Sequence, residues 1–468
     1  MRALDEADLA GRLALDMPWR DAAASAGPIG AWPRRDFLDP FVRLLDRPGP
    51  APPVLLAGPR RTGKTVLLRQ AAARLIDSGL PPRAVAYADL DAPALQTVAL
   101  DTILRHLRAG APEGPGVVLL DSLHRRPDTP RALAVLAAAE PGVRFAAALS
   151  AGPAPLRRGG GEGCTPFILP PLTFGEYLNL SGSEHGLIEP LAFGKGGRAP
   201  VYAVHDMDAL NRRFLHYINA GGFPESVLLP PGHGDGAARL RGPVLDALLH
   251  GDLPALAGIG SGPELTALFT LLARNTGAEV SIEAIAVGTG LAKNTVRRHL
   301  DWLEAAFLIV RQGRLHPEGG RLKRMRTFKV HLATPCLYAA LFGPVGTDHP
   351  MLARLVQSAV IGQWLASPDL ERLAFVRLPE GTVDLVGLDA ADGRPAWACA
   401  LTGTDGPSEA VEALLRFARR TGPLRWVGAT TLTRAALRTR DGVEVWHRPA
   451  SQYAYEVGRR VAAEAGTP

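Results

Sequence analysis

The chain has 468 residues, 47% of them hydrophobic and 21% charged, with a formal net charge of +6. That apolar share excludes a disordered chain, and the length suffices for about three domains with cores of their own. Three widely separated cysteines, Cys164, Cys336 and Cys399, exclude a disulfide scaffold and a paired zinc or redox motif.

Residues 1 to about 35 read as short helical pieces broken by Pro18, Gly27-Pro28 and Pro33. No apolar signal region opens the chain, and no run approaches the roughly 18 apolar residues of a membrane span. A soluble, cytoplasmic protein that does not enter a membrane is expected. Phe37 to Leu45 reads as a helix leading into a short apolar strand, Val54–Ala57.

That strand ends in Gly58-Pro59-Arg60-Arg61-Thr62-Gly63-Lys64-Thr65, which fits the phosphate-cradling pattern G-x-x-x-x-G-K-[ST], with Val66 continuing into a helix. Gly58 and Gly63 allow the backbone amides to approach phosphate oxygens. Lys64 brings a point charge to the β- and γ-phosphates, and the Thr65 hydroxyl suits Mg²⁺. The apolar strand before the loop and the helix after it supply the context the motif requires. ATP and Mg²⁺ are the expected cofactors.

Strands and helices then alternate: Ala84–Leu90, a helix over 95–108, Gly116–Asp121, a helix over 130–139, Arg144–Leu149 and Phe167–Leu169. Short apolar strands with helical crossovers predict a parallel sheet covered on both faces. Asp121 ends its strand at the ligand-binding edge, where it is expected to hold the Mg²⁺ water shell; the alternative is a helix cap.

From Gly175 to about Ile259 the pattern is mostly helical, with loops at 194–197 and 230–232. Residues 264–310 then give a helix, a short extended piece, two further helices and a strand, with Phe328–Leu332 placed to pair with it. This predicts a winged helix. Its second helix carries Lys293, Asn294, Thr295, Arg297, Arg298 and His299 at positions expected to be exposed. The wing carries Arg311, Arg314, Arg321, Lys323, Arg324 and Arg326. Lys293, Arg297 and Arg298 are the candidate nucleic-acid contacts, against a plain solvated face. The last segment, 345–468, reads as mixed α/β with strands near 372–378, 382–388, 395–401, 424–429 and 443–446.

From about residue 36 onward these features resemble the prokaryotic AAA+ superfamily ATPases that carry a C-terminal domain of unknown function. Leu169-Pro-Pro-Leu-Thr-Phe-Gly-Glu-Tyr177, Gly221-Gly-Phe-Pro-Glu225 and Lys329-Val-His-Leu-Ala-Thr-Pro335 join the P-loop and Val117–Asp121 as its markers. The resemblance implies an α/β chain in five parts. They are an N-terminal extension (1–35), an AAA+-like P-loop core (36–180), a helical lid (181–260), a winged helix (261–344) and a degenerate restriction-endonuclease-like domain (345–468). It also implies a sensor hydroxyl after the fourth strand, where Ser150 stands.

The departures bear on activity. The family's water-activating glutamate after the Walker B aspartate is Ser122 here, and a serine hydroxyl does not accept a proton at neutral pH as a carboxylate does. Asp89 or Asp91, at the end of the strand expected beside Asp121, is the candidate replacement, with loop and cap chemistry as the alternative; His124 is a weaker candidate that reads as a helix-surface residue. Of the nuclease ligands Asp384 remains, the segment at Gly362-Gln363-Trp364 lacks a glutamate, and no lysine follows Lys329. Nuclease activity is therefore not expected. The sequence predicts an ATP binder with weak or absent hydrolysis, coupled to a partner-binding region. A nucleotide-switched DNA-binding regulator and a scaffold with a vestigial site are the alternatives, and a protein partner or a homo-oligomer stays open.

Overall fold

A computed structural model describes residues 5–20, 32–47, 49–109, 111, 116–123, 129–150, 163–191, 201–228, 240–253, 262–318, 327–406 and 408–466. Its contacts divide the chain into two compact units, Met1–Leu169 with Ala462–Pro468, and Pro170–Val461.

The first unit contains α1 (Glu6–Asp16), α2 (Leu38–Leu45), β1 (Val54–Ala57), α3 (Lys64–Asp77), β2 (Val85–Asp89), α4 (Leu100–Arg108), β3 (Gly116–Asp121), α5 (Thr129–Ala139), β4 (Val143–Leu149) and β5 (Thr165–Ile168). The strands form one parallel sheet in the order β2-β3-β4-β1-β5. β1 and β3 are buried along their whole length, as continuous apolar runs between helical layers must be. α3 stops where Gly79 turns to φ +106° and the Leu80 amide closes on Leu75. In the N-terminal stretch α1 ends at Asp16, ahead of the expected break at Pro18, and a short turn of helix follows over Pro18–Arg20. Asp5 and Asp8 make a reciprocal capping box for α1, and Trp19 donates its indole N–H to Val85 at 3.1 Å, tying the segment to β2.

The second unit holds strands β6 to β16: β6 (Ile188–Leu191), β7 (Val201–Val204), β8 (Glu279–Ser281), β9 (Ile309–Leu315), β10 (Thr327–Leu332), β11 (Leu373–Leu378), β12 (Gly381–Leu388), β13 (Pro395–Ala400), β14 (Trp426–Thr431), β15 (Ala436–Arg440) and β16 (Val443–Pro449). β6 and β7 form a hairpin in a stretch that reads as helical, because its strands are short and one carries Pro190. The other nine make a single sheet, β15-β16-β14-β13-β12-β11-β9-β10-β8. β9 pairs with β10 as expected, and along its other edge it runs parallel to β11, with Gly313 opposite Ala374.

A row of aromatic rings packs against this sheet. Trp364 stacks on Trp397 at 5.6 Å between centroids, Trp397 meets Trp426 edge-on at 5.8 Å, and Trp426 stacks on Tyr453 at 5.9 Å. Gly387 and Gly428 make room for them, since a Cβ at either would stand 2.1 or 2.2 Å from the ring of Trp397 or Trp426.

The short motifs of the sequence converge in this unit. The Leu172 amide donates to Gly222 at 2.8 Å, and the Tyr217 hydroxyl donates to the Leu172 carbonyl at 2.8 Å. Thr173 and Glu176 form a buried capping box for the helix Phe174–Leu180. Gln363 accepts from the Phe174 amide at 2.9 Å and donates to Tyr217 and to the Ala359 carbonyl. A glutamate at 363 would bring a second acceptor against Ala359, so the amide suits the hydrogen-bonding set around it.

Candidate nucleotide site and a neutralised carboxylate

Three elements deliver the candidate site to one edge of the first unit's sheet: β1 through the loop that follows it, and the adjacent C-terminal ends of β2 and β3. The loop is closed by its own side chains. Lys64 donates its ammonium to the carbonyls of Gly58 at 2.9 Å and Pro59 at 2.7 Å, and Thr62 donates its hydroxyl to Pro59 at 2.9 Å. Gly58 lies tight against the sheet: a Cβ there would stand 2.1 Å from the Leu169 carbonyl oxygen. Gly63 takes φ +91° just before α3, a conformation that favours glycine. Arg61 also has a positive φ and is exposed, Arg60 and Val66 are partly exposed, and Thr65 presents an exposed side chain on the first turn of α3. Gly58 donates its amide to Leu149 at 3.2 Å, which sets the partly exposed Ser150 beside the start of the loop.

Asp89 and Asp121 stand opposite each other in register at the ends of β2 and β3. Asp121 is buried. Its Oδ1 accepts from the Ser122 amide at 2.8 Å and its Oδ2 from the Tyr87 hydroxyl at 3.0 Å. Burial, with the Asp121 charge beside it, pushes the Tyr87 phenol far above its ordinary range, so the tyrosine remains a donor. Arg69 of α3 covers the same ring at 4.9 Å. Ser122 sits at φ +61°, turning the chain sharply after the aspartate.

Asp89 accepts from the Asp91 amide at 3.0 Å through Oδ1, a local turn contact, and its own amide donates to Asp16 of α1 at 3.2 Å. Burial raises its pKa, the Asp91 amide opposes that, and the neighbouring carboxylates Asp121, Asp16 and Asp91 add to it. His124, and the residues after Ser150 that the family motif would include, lie outside the described residues.

The loop fits a nucleotide's phosphates. Lys64 directs its donors at the loop carbonyls of Gly58 and Pro59, which phosphate oxygens would replace. Thr65 and Asp121 are oxygen ligands of the kind Mg²⁺ takes. Among the described residues no group of three or more His, Cys, Asp or Glu is placed to hold a metal by itself. Sequence reading missed Arg35, Tyr87 and Asp16 here, since each arrives from a segment without a motif.

The basic residues of the second unit are largely engaged. Lys293 pairs with Glu283 at 3.1 Å, Arg297 donates to Asn294 at 2.8 Å, and Arg298 lies over Trp302 at 5.2 Å. His299, expected to be exposed, is buried, because the helical repeat places it on the face of Val296, Leu300 and Leu303. Arg311, expected to present its charge from the wing, is locked between Asp301 at 2.7 Å and Glu304 at 2.5 Å. Arg314 pairs with Glu279 at 3.2 Å. Arg321, Lys323, Arg324 and Arg326 lie outside the described residues.

Asp384 is the one expected nuclease ligand, and here a lysine neutralises it. Lys329 reaches Oδ1 at 2.8 Å, Gln357 approaches the same oxygen at 3.4 Å, and Oδ2 accepts from the Leu401 amide at 2.9 Å. Gln312 extends the network, donating to the carbonyls of Asp384 and Ala374 and lying 3.2 Å from His331 Nε2. Ser358 closes it, 3.4 Å from His331 Nδ1 and 2.7 Å from Thr276. Burial, with Lys329 nearby, pushes His331 down to about 3, so it is a neutral member of the network.

Residues 50–178 match the family model described as "AAA domain". The first unit has a P-loop fold of the AAA type. Residues 211–347 match a second model, described as a domain of unknown function, DUF8612. Among solved structures the chain is similar to the Thermotoga maritima RuvB Holliday junction branch migration motor. Identity is 15% and the TM-score 0.27, over 60% of this chain and 90% of that one. No curated protein matches the chain. No helix among the described residues is long and apolar enough to cross a membrane.

Proposed function

We propose that the protein binds Mg·ATP at the Gly58–Thr65 loop, hydrolyses it slowly or not at all, and uses the nucleotide state to control a partner-binding C-terminal region. The observation that carries the reading is the closed loop itself. Lys64 is held by the carbonyls of Gly58 and Pro59, and β3 of the same sheet ends in a buried aspartate followed by serine. Lys64 and the loop amides would hold the phosphates, and Thr65 and Asp121 would face the metal. Bound Mg²⁺ neutralises phosphate charge.

Slow turnover follows from Ser122. The residue directly after Asp121 is not a carboxylate that could take a proton from the attacking water, and Asp89 is held in a turn contact with Asp91. The five-part organisation, with a winged helix over 261–344 and a decayed nuclease domain over 345–468, belongs to the same reading. The Lys329–Asp384 pair supports it, because an internal ammonium already balances the carboxylate that a catalytic metal would need.

Equilibrium binding of labelled ATP, with and without Mg²⁺, tests the proposal when combined with a steady-state ATPase assay. Binding lost in Lys64→Ala and turnover far below about one per second are expected. Absence of ATP binding refutes the nucleotide site. Turnover of about one per second or faster that depends on Lys64 refutes slow hydrolysis.

A further inference from the structure

We infer that Arg35 is a positioning residue for the phosphate loop, fixing the Thr62–Gly63 peptide so that the Gly63 amide faces the loop interior. The inference rests on the nucleotide-site reading above and names a residue that no motif contains.

Arg35 stands 27 positions before Thr62 and is 6% exposed. Its Nη1 donates to the Thr62 carbonyl at 2.7 Å. In a planar trans peptide the carbonyl and the following N–H point in opposite directions, and none of the described peptide bonds is cis. Holding the Thr62 carbonyl outward on the guanidinium therefore turns the Gly63 N–H the other way. That amide belongs to the residue just before Lys64, where the phosphate pattern needs a donor.

The anchor is itself rigid. The Arg35 carbonyl accepts from the Leu38 amide at 3.1 Å, which seats the residue at the start of α2. Its guanidinium lies 5.6 Å from the ring of Phe37, which is fully buried and packs edge-on against Phe167. The same segment also grips the helix that follows the loop, since Gln70 of α3 donates to the Trp32 carbonyl at 3.0 Å. Residues 32–37 thus hold both the loop and the first turns after it. A buried guanidinium is costly to desolvate, and an anion bound at the loop lowers that cost.

The test measures binding of Mg·ATP and of inorganic tripolyphosphate to the full chain by calorimetry, for wild type, Arg35→Gln and Arg35→Lys. Unfolding midpoints are taken without ligand. Arg35→Gln is expected to weaken both ligands by about 10- to 100-fold, the range of a charged hydrogen bond, and Arg35→Lys by less, because an ammonium can donate to the same carbonyl. Wild-type affinity for tripolyphosphate in folded Arg35→Gln overturns the inference. So does a loss confined to ATP, which would place Arg35 at the base instead. If Arg35→Gln does not fold, Arg35→Lys decides: a lowered midpoint with unchanged affinities makes the residue merely structural. Failure of wild type to bind either ligand refutes the nucleotide reading itself, a separate result.

Discussion

Replacing Lys329 with methionine removes the cation from Asp384 while keeping most of the stem volume. Both side chains are less than a tenth exposed, so the carboxylate would be left charged in a place water barely reaches. Breaking a buried pair from one side costs about 3–5 kcal/mol. Here Asp384 keeps the Leu401 amide at 2.9 Å and a longer contact to Gln357, which sets the expectation near the lower end, about 3 kcal/mol. The contact of the ammonium with the Phe375 ring, at 5.3 Å, adds about 0.5–1 kcal/mol.

Urea unfolding followed by tryptophan fluorescence reads this directly, because Trp364, Trp397 and Trp426 pack together in the same unit. Adding Asp384→Asn to Lys329→Met should restore most of the loss, and the double-mutant cycle gives the coupling. A loss below about 1 kcal/mol in Lys329→Met would refute the reasoning.

Gly58→Ala places a methyl 2.1 Å from the Leu169 carbonyl, a backbone atom that cannot swing aside. It should cost about 1–3 kcal/mol in thermal unfolding and lower ATP affinity, both measurable on one preparation. His331 is pushed down to about 3 in the folded protein, against about 6.5 unfolded, so its contribution is present above about pH 6.5 and lost as pH falls. Stability should decline by about 1.4 kcal/mol per pH unit below that point on its account, and urea midpoints for His331→Gln should show a correspondingly shallower slope.

The sequence made local features legible and left long-range ones hidden. The loop at Gly58–Thr65, the strand ending at Asp121 and the pairing of β9 with β10 were readable because each depends on neighbours in the chain or on a simple period. The helix at Cys336–Phe342, the edge strand Ala436–Arg440 and the helix Ala450–Glu464 were not read. The first is short and has no side-chain cap, and the strand leaves all but Ala436 exposed. His299 was misplaced because its polarity was weighed above its position in the helical repeat. Arg35, Asp16 and Tyr87 come to the site through folding alone. Lys329 gave a weak signal, as the last of five lysines in an arginine-rich chain, but its partner lies 55 residues away.

The parallel seam between β9 and β11 bears on how displacement travels. The resemblance to the AAA+ family divides the chain into separate domains at residue 344, and a flexible joint there would absorb motion. Nine strands hydrogen-bonded edge to edge behave as a plate. Its edge far from β8 carries the cross-strand pair Leu437 and Trp446, both exposed, so the sheet ends in an apolar edge.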